Sequence, residues 1–192
     1  MDRIRAILEK GRAEGARSFA GAGLRFLRYG VERWALRRTH VPRRIHDCRM
    51  LLNLQVRGIS KTLAVYGVHE KLETELMRER LRPGATVIDV GANIGYYALL
   101  EASLVGPGGY VYALEPFPRN HDLLIRNIRL NRFEDRILAF RLAAGDAEGR
   151  ARMYLGPSDN MHCLMEYDRT DTFNEYIEVE TVTLDRFLDG KR

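Results

Sequence analysis

Apolar and polar positions change period several times along the chain, and from residue 85 onward the changes follow a regular order. The run A-T-V-I-D-V (85–90) is short, β-branched and apolar on both faces, which predicts a central strand of a parallel sheet. A helix over 94–104 follows, and Gly106-Pro107-Gly108-Gly109 makes the turn into a strand over 110–115. A helix over about 119–130 leads to a strand over 136–142. Strands that alternate with helices of this length predict an α/β fold with crossover helices. R-A-R-M-Y-L (150–155) and Y-I-E-V-E-T-V (176–182), on either side of a polar stretch over 156–175, read as strands added to the parallel sheet, with an antiparallel direction open to them. Leu184 to Leu188 predicts a short helix.

Upstream the pattern is looser. Residues 50–66 alternate enough to suggest one or two short strands around Gly58, and 67–81 predicts a charged helix with Leu72, Leu76 and Met77 inward. Residues 2–20 have mixed helical character, broken by Gly11 and Gly15. Leu24, Leu27, Val31 and Trp34 then recur at spacings of three and four, with Arg25, Arg28, Arg33 and Arg37 mostly off that line. This basic amphipathic helix either packs its apolar stripe on the domain behind it or lies on an anionic membrane surface or a partner. No nucleic-acid-binding motif accompanies the arginines, and nucleic acid is not expected as a partner.

Charge divides the chain in two. Residues 1–50 hold 12 Arg and 1 Lys against 5 acids, a net of +8, so the rest carries −3 within a total of +5. The expected organisation is a basic helical N-terminal extension over 1–49 and one domain over 50–192. Cys48 and Cys163 match no metal spacing, and no His/Cys/Asp cluster does, so no metal is expected. With no long apolar segment at its start, the chain is expected to be cytoplasmic, with the basic helix as its route to a membrane.

The chemistry gathers in V-I-D-V-G-A-N-I-G-Y-Y (87–97). Glycines at a strand end let a ligand approach the backbone, and the following helix start offers unpaired N–H groups. A dinucleotide loop anchored on Gly91 requires glycines at 93 and 96, where this chain has Asn93 and Tyr96. S-adenosylmethionine is the better candidate. Asp89 could favour its ammonium, directly or through water, and Glu115 in A-L-E-P ends the next strand where an acid can accept both ribose hydroxyls.

At these residues the chain resembles the FkbM-type S-adenosylmethionine-dependent methyltransferases. The matching pieces are Y-G-V-H-E-K-L-E-T-E (66–75), L-R-P-G-A-T-V-I-D-V-G-A-N-I-G-Y-Y (81–97) and G-Y-V-Y-A-L-E-P-F-P-R-N (109–120). They continue in order through L-L-I-R-N-I-R-L-N (123–131), A-A-G-D-A-E-G (143–149) and V-E-T-V-T-L-D-R-F-L (179–188). The resemblance implies a Rossmann-like class I methyltransferase fold and methyl transfer to an oxygen, commonly a sugar or polyketide hydroxyl. It implies cofactor-binding roles for Asp89, Gly91, Ala92, Asn93 and Gly95 at the methionine end, Glu115 at the ribose, and Ala144 to Asp146 near the adenine. It also implies a fourth strand of the type D-x-I-K-I-D-x-E-G after T-L-D-R-F-L, whereas this chain ends at Gly190-Lys191-Arg192. The expected domain is therefore partial, with an open edge on strand 87–90 that invites self-association.

Methyl transfer to a hydroxyl needs a base. His162 in S-D-N-M-H-C-L-M and His69 beside Glu70 are the candidates, while His40, His46 and His121 are expected on solvated surface. One of Tyr96 and Tyr97 should pack inward and the other line the pocket. The competing reading is a catalytically incomplete half-domain that binds cofactor and needs its missing half or a partner chain.

Overall fold

The computed structural model describes residue 21, residues 23–164 and residues 175–191. The expectations for residues 2–20 and for most of the second half of the polar stretch lie outside these. Helix α1 (23–30), its last turn widened to a π-helix at Val31–Ala35, leads into a hairpin of β1 (His40–Ile45) and β2 (Cys48–Asn53). Helices α2 (Ile59–Tyr66) and α3 (Lys71–Arg80) follow. The central unit is β3 (Thr86–Val90), α4 (Tyr96–Val105), β4 (Tyr110–Leu114), α5 (Pro118–Asn131) and β5 (Ile137–Phe140), with the parallel order β3-β4-β5. A second sheet contains β6 (Ala143–Ala144), β8 (Tyr176–Val182) and β7 (Gly149–Tyr154), and α6 (Leu184–Leu188) closes the described chain. The pair β7–β8 is antiparallel, and with β6 it forms a sheet separate from β3-β4-β5 instead of extending it.

The central helices form for different reasons. In α4 most side chains are buried, Glu101 included, and its ends are set by Gly95 and Gly106, both at positive φ. In α5 a proline opens the helix, and Asn120, Leu123, Leu124, Asn127 and Ile128 make one buried face at helical spacing. Two asparagines on that helix take the place of a neighbouring strand. Asn127 Oδ1 accepts the Leu51 N–H at 2.6 Å, while Asn131 Oδ1 and Nδ2 bond the Arg49 N–H and carbonyl at 2.8 and 2.7 Å. The edge of β2 is thereby satisfied by side chains.

Several expectations need correction. The boundary at residues 49 and 50 falls inside β2, so the extension and the domain share a hairpin. Residues 59–66 are helical: Ile59, Leu63 and Ala64 are buried at helical spacing. In α3 the buried residue is Thr74, whose hydroxyl meets the Tyr96 hydroxyl at 2.9 Å, and Leu72 and Leu76 are exposed. In α1 the domain-facing side carries Tyr29 and Glu32, the latter bonded by Arg28 and Arg43. At about 100° per residue the stripe of Leu24, Leu27, Val31 and Trp34 lies opposite, and all four are more than half exposed. The stripe does not pack on the domain. Strand β3 has a neighbour only on its β4 side among the described residues, and Val90 is 51% exposed.

Candidate functional site

Beyond the carboxyl ends of β3, β4 and β5 lies a cavity of about 400 Å³. Gly91, Ala92 and Asn93 line it from the loop after β3, Glu115 from the end of β4, and Leu142 to Ala144 from beyond β5. His69, Glu70 and Tyr97 line its β3 side. The glycine loop is tied to the neighbouring strand, because the Gly91 and Ala92 N–H groups both donate to the Leu114 carbonyl. Gly91 has φ +79°, and a Cβ there would meet no atom within 4 Å. The space in front of it is open to a ligand.

Glu115 is 3% exposed and bonded on both oxygens. Oε2 accepts the Asn93 N–H at 2.7 Å, and Oε1 accepts the Phe117 N–H at 2.8 Å. Burial pushes its carboxyl up to about 7, while the bonds from Phe117, Asn93 and Asn120 favour the ionised form. A carboxylate has about four acceptor sites, so these three bonds leave one side of it for the ribose.

The other expected residues separate. Gly95 does not line the cavity and is the residue before α4, packed against Leu124. Asp146 is exposed on the turn before β7 and does not line the cavity. Asp89 does not line it either. Its carboxyl faces α4, accepts the Ala98 N–H and is buried close to Glu101; burial holds both acids above the usual carboxylate range, and the nearby Asp89 charge raises Glu101 further. Each of the two has one buried oxygen without a hydrogen-bond partner.

Tyr96 packs inward and is buried, yet both it and Tyr97 border the cavity, so the expected division between them is incomplete. The Tyr96 hydroxyl is a junction: it donates to the His69 carbonyl at 2.8 Å and meets Thr74 Oγ1 at 2.9 Å and His46 Nε2 at 3.0 Å. His46 is thus half-buried structure, not surface. His121 also departs from a solvated face, with a buried Nε2. His162 Nδ1 accepts the Gly156 N–H at 3.1 Å, and burial lowers the ring's pKa. A neutral ring that accepts at Nδ1 carries its hydrogen on Nε2, which leaves no lone pair for a base.

Sequence reasoning missed Asp159 and Asn120. The Asp159 carbonyl accepts the side-chain amides of Asn93 and Asn120 at 2.8 and 2.9 Å, and its Oδ1 accepts the Ile59 N–H at the start of α2 at 3.1 Å. The polar loop is latched across the glycine loop. Gly58, at φ +116°, makes room for it, since a Cβ there would lie 1.8 Å from Asp159 Oδ1. The available signals were Gly58 itself and the S-D-N of 158–160, a turn former three residues from the histidine that drew notice.

Parallel strands that end in a small-residue loop and a buried acid define a nucleoside-cofactor site of the Rossmann-like class. The chain belongs to the FkbM methyltransferases: the family model described as a methyltransferase FkbM domain matches residues 89–192, more than half of it. The family is one of S-adenosylmethionine-dependent enzymes, and the α/β architecture is its Rossmann-like class I fold. The 31-O-demethyl-FK506 methyltransferase FkbM of Streptomyces tacrolimicus is 42% identical over 77 residues, 40% of this chain and 28% of that protein. A protein-L-isoaspartate O-methyltransferase of Methanothrix thermoacetophila is 40% identical over 55 residues, 29% of this chain and 26% of that protein. The chain thus spans about a quarter of the length of these relatives. A solved structure of P. horikoshii TYW2 in complex with MeSAdo is similar over 58% of this chain and 39% of that one, at 25% identity and a TM-score of 0.46.

Proposed function

We propose that the cavity takes S-adenosylmethionine and that the domain delivers its methyl group to a hydroxyl oxygen of a glycan or small molecule. The observation that carries the reading is Glu115, buried and fixed on two backbone N–H groups beside an open glycine loop. The names of both relatives specify transfer to oxygen, which supports the same atom here.

The site's residues fit the cofactor. Glu115 would accept the ribose hydroxyls, Gly91 to Asn93 would admit the amino-acid end, and Leu142 to Ala144 would give the adenine an apolar wall. When bound, the cofactor supplies a sulfonium methyl group for in-line displacement. The chain's part is to fix the acceptor oxygen in line and to receive its proton. His69, which lines the β3 end of the cavity, is the better candidate for that step, because His162 is committed to its own loop. Incubation with labelled S-adenosylmethionine and a panel of sugar and polyketide alcohols tests it: label in an ether product supports the reading, and none with any acceptor refutes it.

That β3 is paired on one side only among the described residues favours a second reading, in which the chain binds cofactor but transfers no methyl group until another strand covers that edge. Concentration-dependent association in light scattering, without turnover, would favour it. The exposed stripe of α1 between arginines supports contact with an anionic membrane surface. None of the described helices is long and apolar enough to cross a membrane. Sedimentation with anionic but not neutral liposomes checks the contact.

A further inference from the structure

The amino-acid end of S-adenosylmethionine carries an ammonium group, and a site for it needs a negative partner. Asp89 suits that role in sequence, yet in the structure its carboxyl turns away to α4 and Glu101, outside the cavity. The acid that does face the cavity on this side is Glu70.

Topology says which end of the cofactor Glu70 would meet. The cavity runs across the strand ends in the order β3, β4, β5. With the ribose fixed by Glu115 at the end of β4, the adenine extends towards Leu142 to Ala144 beyond β5, and the amino-acid end towards the loop after β3. Glu70 and Tyr97 stand at that far side. The carboxylate is held in place: Oε2 accepts the Tyr97 hydroxyl at 2.5 Å and lies 3.6 Å from His69 Nε2. Its backbone is in the left-handed region, at φ 43° and ψ 71°, a conformation that costs a non-glycine residue energy. Tyr97 supplies one hydrogen bond, and the remaining acceptor sites of the carboxylate suit an ammonium group.

We propose that Glu70, positioned by Tyr97, binds the ammonium group of the amino-acid end of S-adenosylmethionine, and that Asp89 is a buried structural acid. The assignment rests on the cofactor reading above. Its test compares three ligands by calorimetry: S-adenosylmethionine, S-adenosylhomocysteine and 5′-methylthioadenosine, which lacks the amino-acid end. Glu70→Gln keeps the side chain's shape and removes its charge. It should weaken the first two ligands by about tenfold each, the scale of one hydrogen bond to a charged group, and change the third by less than about twofold. Asp89→Asn should shift all three alike. The assignment is overturned if Glu70→Gln weakens all three equally or none, or if Asp89→Asn is the variant that erases the preference for ligands with an amino-acid end. A wild-type chain that binds none of the three would instead sink the cofactor reading itself.

Discussion

The backbone N–H of Asn93 and the Oε2 of Glu115 meet at 2.7 Å, which ties the glycine loop after β3 to the last residue of β4 before any ligand enters. The cofactor face is preorganised by the same carboxylate that would read the ribose. A carboxylate at a strand end is rarely a packing element, which would leave Glu115 dispensable for folding. It is instead buried and bonded to two segments.

Glu115→Ala should therefore do two things. Cofactor affinity should fall by about 1.5–3 kcal/mol, and stability by about 1–3 kcal/mol as the Asn93 and Phe117 N–H groups lose their acceptor. Calorimetry and thermal unfolding of the same variant check both. Because burial raises this carboxyl to about 7 and the ribose diol needs the ionised form, affinity should rise with pH between about 6 and about 8. Glu115→Gln should flatten that profile.

Gly91→Val should cost more affinity than Glu115→Ala. No atom lies within 4 Å of its Cβ direction, so the side chain enters ligand space, and at φ +79° it adds about 1–2 kcal/mol of backbone strain. Unchanged affinity in calorimetry would place the ligand elsewhere.

Gly58→Ala should unlatch the polar loop. Its Cβ would collide with Asp159 Oδ1, so either the loop lifts or the start of α2 shifts, at a cost of about 2 kcal/mol or more. Proteolysis within residues 156–162 should accelerate. Combining it with Asp159→Ala should recover part of the loss, a coupling that a double-mutant cycle in thermal unfolding reads directly.

The buried pair Asp89 and Glu101 sets a pH trend of opposite sign to an ordinary salt bridge. Both hold their protons more tightly in the folded chain than in the unfolded one, so the native state binds more protons. Stability from this pair is full below the ordinary carboxylate range and is lost as pH rises through the raised values. Glu101→Gln should gain about 1–3 kcal/mol near pH 8 and flatten the trend, measured by denaturant unfolding at several pH values.

The order β3-α4-β4-α5-β5 was legible because each segment keeps one period and ends at glycine or proline. The acids and glycines of the cofactor loop were legible because their spacing is local. What failed was orientation. A stripe at helical spacing names a face of α1, but whether that face or the one with Tyr29 and Glu32 meets the domain depends on Arg43, on the hairpin that follows. Asp89 showed the same limit, since its partner Glu101 sits midway along a helix that otherwise reads as apolar. Asp159 was hidden in a polar loop with no period, where its bonds reach Asn93, 66 residues away.

The central claim is that this cavity belongs to S-adenosylmethionine and not to a dinucleotide. Calorimetric titration of the wild-type chain with S-adenosylmethionine and, separately, with NAD tests it most directly. The account predicts saturable binding of S-adenosylmethionine at one site per chain and no heat from NAD; tight NAD binding with no response to S-adenosylmethionine would contradict it.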